Sequence, residues 1–150
     1  MRLLLICIAY CLVNASFAQE GDQFESKSFL IILSTKSYNG ALKKAQLACN
    51  ELGYALDLRN MYADKENGLT SSEVCGCGEQ HGYLPRGRGD DGNYISIEYS
   101  DYFNGFSKGY YIIVVASGDR EEVQSILPAV QEHYKDAYIK NAEVYMGCMH

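Results

Sequence analysis

Residues 29–60, FLIILSTKSYNGALKKAQLACNELGYALDLRN, read as an apolar strand, an amphipathic helix and a second strand carrying polar residues. Residues 110–145, YYIIVVASGDREEVQSILPAVQEHYKDAYIKNAEVY, repeat that order. Two βαβ-type halves in one short chain predict an α+β architecture, a single sheet with both helices on one face.

Within the first half, residues 29–33 form a continuous apolar run, as a central strand covered on both faces requires. Asn39 is placed to cap the helix. Ala41, Leu42, Ala45, Ala48, Cys49 and Leu52 then fall on one face at helical spacing. Gly53 stands where a helix stops, and residues 54–59 alternate into a strand. In the second half, residues 110–116 are the other central strand. Asp119 and Glu122 have capping-box spacing, and Val123, Ile126, Leu127 and Val130 make the buried stripe. Pro128 lies inside that stripe and predicts a kink or an early end to regular helix. Residues 137–144 close the sheet as an edge strand, kept soluble by Lys140 and Glu143.

Between the halves, residues 61–109 form an insertion rich in Gly, Ser, Asp and Asn. A structureless loop of that length is uncommon in a compact domain. Its NYISIEY segment alternates Ile95, Ile97 and Tyr99 with Tyr94, Ser96 and Glu98, so the insertion is expected to carry its own strand or hairpin and to pack against the main sheet.

Residues 1–18 read as a secretory signal peptide. Arg2 supplies the positive start, residues 3–13 are apolar, and Ser16-Phe17-Ala18 places cleavage before Gln19. The protein is therefore expected to be exported, periplasmic or extracellular. The apolar run is too short to span a membrane, and no later segment is long enough. Residues 19–28 read as a flexible lead-in and 29–150 as one domain. The chain carries 13 Lys and Arg against 19 Asp and Glu, a formal charge of −6 that becomes one unit more negative once Arg2 is removed. With no basic stripe, nucleic acid is not an expected partner.

The two halves resemble the SPOR (sporulation-related repeat) domain, a small βαββαβ module. The resemblance rests on Val115-Ala116-Ser117 leading into Asp119-Arg120-Glu121-Glu122, and on Tyr134 with Asp136-Ala137-Tyr138-Ile139 entering the last strand. In the first half it rests on Ser34 and Thr35, Ala41 and Ala45, and Leu52-Gly53-Tyr54. Together the two halves cover about half of the mature chain. The implied fold is a ferredoxin-like βαβ-βαβ antiparallel sheet with two helices on one face and an inserted hairpin or loop region. The implied role is non-catalytic binding, in the cell envelope, of peptidoglycan glycan strands lacking stem peptides. Thr35, Lys36, Ser37 and Tyr38 after the first strand, with Lys43 and Lys44 on the first helix, then become the candidate glycan contacts. They offer hydroxyls, ammonium groups and a ring beside a helix start. Ile32 and Ile113 stand where the family often carries a polar residue on the open sheet face. The insertion or a partner chain is expected to cover that apolar face. An alternative role follows: a protein-interaction module, or a homodimer, docking through the same face.

Four cysteines survive signal removal: Cys49, Cys75, Cys77 and Cys148. Export makes disulfides the default, and a bridge from Cys75 or Cys77 to Cys148 would tie the insertion to the C-terminal tail. Cys49 sits on the apolar helix face as a small hydrophobe. The rival reading is a metal or redox site on Cys75, Cys77 and Cys148 with His81 or His150, although a lone C-x-C lacks the paired clusters of structural zinc sites. No metal or other cofactor is expected. Tyrosines number 13 and tryptophans 0, so any sugar platform must be built from tyrosine. Arg88-Gly89-Asp90 spells an adhesion tripeptide inside ordinary turn chemistry. Asp57 and Glu98 form a glycosidase-like pair only if geometry brings them together. With no nucleophile, metalloprotease or phosphate-loop motif, an enzyme is not expected.

Overall fold

A computed structural model describes residues 23–71 and 82–147. In chain order the elements are β1 (Phe24–Thr35), α1 (Tyr38–Leu52), β2 (Met61–Asp64), β3 (Gly68–Ser71), β4 (Gly92–Tyr99), β5 (Tyr111–Gly118), α2 (Arg120–His133) and β6 (Tyr138–Tyr145). Four strands form one antiparallel sheet in the order β4-β5-β1-β6, and β2 and β3 pair as a separate hairpin. This is the expected ferredoxin-like α+β arrangement. No helix among the described residues is long and apolar enough to cross a membrane.

Both helices lie on one face. Ala41, Ala45 and Ala48 of α1 and Val123 and Val130 of α2 pack onto Leu30, Ile32, Ile113 and Val115 of the central strands. Alanines on the inner side of α1 let its backbone approach the sheet closely. Each fully buried Leu, Ile or Val contributes roughly 1.5–3 kcal/mol. Gly53 ends α1 in a left-handed conformation, φ 72°, with its N–H bonded to the Cys49 carbonyl.

The opposite face is also covered, by the chain itself. Phe29, Ile31, Ile112, Val114 and Val144 are buried beneath Phe103, with Phe106 and Tyr110 at the margin. Phe103 meets Phe29 edge-on at 5.1 Å between centroids. Ile32 and Ile113, expected here, instead face the helices. Register irregularities in the β1–β5 pairing, between Leu30 and Ile31 and between Ile31 and Leu33, separate this stretch from simple alternation.

Other expectations are corrected. Residues 54–59 do not form a sheet strand: they touch the sheet through one parallel bridge, Leu56 to Ile95. Arg59 and Asn60, at φ 55° and 54°, then turn the chain away into the β2–β3 hairpin. With β6 at one edge as expected, β4 forms the other, so the insertion supplies a strand of the main sheet itself. The lead-in is shorter than expected, because β1 begins at Phe24 and residues 24–28 pair with 141–145 of β6. Ser37, not Asn39, caps α1, its Oγ accepting from the Gly40 N–H at 3.2 Å. Asp119 occupies the cap position of α2 but its side chain makes no cap bond. Helix α2 runs unbroken past Pro128 to His133, because Val123 and Val130 anchor it on both sides of the proline.

Candidate functional site

The six candidate glycan contacts do not converge. Thr35, Lys36, Ser37 and Tyr38 make the turn between β1 and α1. Thr35 Oγ1 accepts from the Ser37 N–H at 3.2 Å, so both hydroxyls help build the turn. Tyr38 is half-buried, its ring edge-on to Tyr111 at 5.4 Å. Burial holds its phenol above the usual tyrosine range. Lys43 and Lys44 begin about 7.5 Å further along the helix at 1.5 Å per residue. Lys43 faces outward beside Gln46, Leu47 and Asn50 over a shallow depression. Lys44 turns towards α2, with Nζ 4.5 Å from the Tyr134 ring centre.

Lys36 is the member brought to a cavity. Its Nζ lies 5.5 Å from the Tyr110 ring centre, and Tyr110 lines a pocket of ≈ 210 Å³ at the end of the sheet. The pocket lies on the face opposite the helices, where β1, β5 and β6 meet the loop after β4. Ser34, Ser100, Ser107, Tyr110, Tyr138 and Lys140 bring polar groups to it, and Phe106 and Ile112 form its apolar part. Ser34 Oγ and Tyr138 Oη share a hydrogen bond at 3.3 Å. Lys140 Nζ rests 4.6 Å from the Phe106 ring centre. Strand alternation explains the set: Tyr138 and Lys140 are two apart on β6 and share a face.

A second polar assembly went unread in the sequence. Residues 82–91 cross the covered face as a strap, and Arg86 is its bolt at 0% exposure. Arg86 donates Nε to Ser117 Oγ (2.9 Å) and Nη2 to the Gly92 carbonyl (2.7 Å). Its Nη1 reaches the Tyr94 carbonyl (2.9 Å), Ser96 Oγ (3.0 Å) and the Val114 carbonyl (3.2 Å). These groups surround a break in the β4–β5 ladder between Asn93 and Ser96, where a bulge leaves backbone acceptors unpaired. The Tyr94 ring stacks 3.6 Å from the guanidinium carbon. Burial pulls the Arg86 guanidinium below its usual range.

Beside it, the Glu98 carboxylate receives both Arg59 Nη1 contacts, at 3.2 and 3.1 Å, and the Tyr83 hydroxyl. Burial, reinforced by Glu98, raises the Tyr83 phenol well above the usual range. Burial opposes the charge of Arg59, but Glu98 and Asp90 outweigh it and raise that guanidinium's pKa. The signal for this network was Ser96 and Glu98 on one side of a strand otherwise built for burial.

The same geometry decides smaller readings. Asp90 accepts from the Gly87 N–H at 2.7 Å and pairs with Arg59 at 3.1 Å, while Arg88 Nη2 holds the Gly147 carbonyl at 2.7 Å. Both ends of the RGD tripeptide are thus engaged within the chain. Asp57 Oδ1 is occupied by the Arg59 N–H at 2.7 Å, so both Asp57 and Glu98 are committed to Arg59. Cys49 is a free, half-buried thiol against the core. Cys75, Cys77, Cys148, His81, His150 and the signal-peptide residues lie outside the described residues. No cluster among the described residues has three metal-ligating side chains together.

Comparison with protein-family models gives no match for this chain, and comparisons with curated proteins and with solved structures give none either. The functional reading therefore rests on the pocket and on the residues quoted for the SPOR resemblance.

Proposed function

We propose that this chain is a non-catalytic binding protein of the cell envelope whose ligand is peptidoglycan glycan, held in the pocket at the end of the sheet. The supporting observation is the contrast within one face. Phe29, Ile31 and Val114 are sealed under the chain's own loops, whereas the stretch beside Tyr138 and Lys140 remains open and polar. Rings with hydroxyl tips beside serines suit a sugar, which has an apolar ring face and a polar perimeter. At ≈ 210 Å³ the pocket falls below the ~300–1,000 Å³ typical of sites for drug-sized molecules. It takes one sugar ring, with the rest of the strand passing along the surface. The SPOR resemblance points to the same ligand, on a shortened groove. Lys36 lies against Tyr110 of the pocket's lining; Thr35, Ser37, Lys43 and Lys44 are left out of the contact.

The rival reading, docking of a partner or second copy through the apolar sheet face, needs residues that are here at 0–1% exposure, Ile31, Ile112 and Val114 among them. Cosedimentation of the mature protein with purified sacculi, before and after amidase treatment, tests the proposal. Binding should rise once stem peptides are stripped. It should fall about 3- to 10-fold in Tyr138→Ala, which removes a 42%-exposed ring at little cost to folding. No binding to either form of sacculus refutes it.

A further inference from the structure

The mature chain is acidic, yet two lysines flank one pocket without an acidic partner. Among the described residues the ion pairs are Lys27 with Glu25 and Asp91, and Arg59 with Asp90 and Glu98. Lys36 and Lys140 take part in none of them. Each instead rests on an aromatic ring, Lys36 on Tyr110 and Lys140 on Phe106, and both rings line the cavity. The carboxylate beside this lining, Asp101, is turned into its own loop, where it accepts from the Gly109 N–H and Ser100 Oγ. The pocket thus has the Lys140 ammonium in its lining, the Lys36 ammonium against one of its lining rings, and no competing anion in that lining.

We propose that the sugar this pocket takes is acidic, and that its carboxylate is read by Lys140 and Lys36. This rests on the glycan reading and narrows it. An ammonium over a ring face is held by the ring's quadrupole but keeps N–H donors directed outward, so a carboxylate can be received without displacing a salt bridge. The hydroxyls of Ser34 and Tyr138 lie at the same wall to meet the ring's own hydroxyls. A neutral sugar leaves both ammonium groups partly desolvated and unanswered, which is the physical basis for rejecting it. The overall negative charge of the protein adds to the selectivity: long-range repulsion weakens indiscriminate binding to polyanions, and only a carboxylate seated at Lys140 within reach of Lys36 gains locally.

The chemistry is shared by two sources: the lactyl acid of a muramic acid residue freed of its peptide, and a uronic acid. The test measures binding of the mature protein to four solids. These are amidase-stripped sacculi, the same sacculi with carboxylates capped as amides, chitin as a neutral glycan, and immobilised polygalacturonate. Capping should weaken binding about tenfold, as loss of a charged hydrogen bond requires, and chitin should bind no better than capped sacculi. Lys140→Gln and the double variant with Lys36→Gln should reproduce the loss on uncapped sacculi. Lys65→Gln, in the β2–β3 turn, should not, and circular dichroism should show each variant folded. Binding to polygalacturonate as well assigns a general carboxylated-sugar site; its absence assigns the lactyl acid. If capped and uncapped sacculi bind equally, or the double variant binds like the parent, the acid reading falls and the glycan reading stands. If no glycan solid binds, both fall together.

Discussion

Replacing Arg86 with Met tests whether the strap over the sheet is held by its guanidinium. The methionine preserves much of the apolar stem and deletes every polar contact of the head. Left behind are the carbonyls of Gly92, Tyr94 and Val114 and the hydroxyls of Ser96 and Ser117, all now short of a donor. The hydroxyls can turn towards other acceptors; the three carbonyls, at a ladder break, cannot. At about 1–3 kcal/mol for each buried group left unsatisfied, three carbonyls give about 3–9 kcal/mol. Relieving the desolvation of the guanidinium offsets part of this, since burial already lowers the Arg86 pKa. A net loss of about 3–5 kcal/mol follows, as for other broken buried charge networks. Against a total stability of about 5–15 kcal/mol this is a large fraction. In urea titrations with m near 1–3 kcal/mol/M, the midpoint should drop by about 1–5 M. Limited proteolysis should detect the strap loosening before global unfolding. A loss under about 1 kcal/mol, with unchanged protease resistance, would refute the claim that Arg86 fastens the strap.

Further predictions follow from the same geometry. Tyr83 is neutral when protonated and its folded pKa is raised, so the native state holds its proton longer than the unfolded chain. Stability should be fully present below about pH 10 and then fall by about 1.4 kcal/mol per pH unit for each such tyrosine as pH rises. Tyr83→Phe should flatten that alkaline slope, and an unchanged slope would show that Tyr83 does not cause it. Gly68→Ala should destabilise by more than about 1 kcal/mol and loosen the β2–β3 hairpin, because its methyl would lie 2.3 Å from the Tyr99 ring at φ 74°. Normal hydrogen-exchange protection of residues 61–71 would count against it. Pro128→Ala, on the exposed side of α2, should stabilise by about 1–3 kcal/mol, read as a raised melting temperature.

The layout of strands and helices was legible where one principle acted alone. The apolar runs at 29–33 and 110–116 had to be central strands, and the alanine stripe of α1 had to face the sheet. Legibility failed where side chains from distant segments changed what a local pattern means. Residues 24–28 look like a polar leader, yet Lys27 reaches Asp91 at 2.8 Å and Phe24 packs on Tyr145, which makes them a strand. Residues 54–59 alternate like a strand, but paired left-handed residues remove them from the sheet. The bulge opposite Val115 and the arginine that fills it are separated by several residues of glycine-rich turn. No periodicity joins them. The pocket was half legible: Lys36 was reached through the strand–helix junction, but Tyr138 and Lys140 lie more than 100 residues away on β6, where Tyr138 was read only as entering the last strand and Lys140 only as edge protection.

The strap and the pocket explain one another. A ferredoxin-like sheet with two helices on one face must do something with the other. Here the apolar part, around Phe29, Ile31 and Val114, is closed by Phe103, and the polar part, around Ser96 and Glu98, is closed by Arg86 and Arg59. A surface closed by five arginine hydrogen bonds and a bidentate ion pair is not a lid that opens for ligand. Binding on this face is thereby confined to the end of the sheet, where Tyr110 and Tyr138 stand on either side of β1 and two lysines remain unspent on ion pairs. On the proposed glycan reading, closing most of the face narrows what the rest can hold, from a strand laid along the sheet to a single sugar ring gripped at one end. A chain built this way should discriminate by the chemistry of one residue of its ligand, and the capped-sacculus comparison measures that discrimination directly.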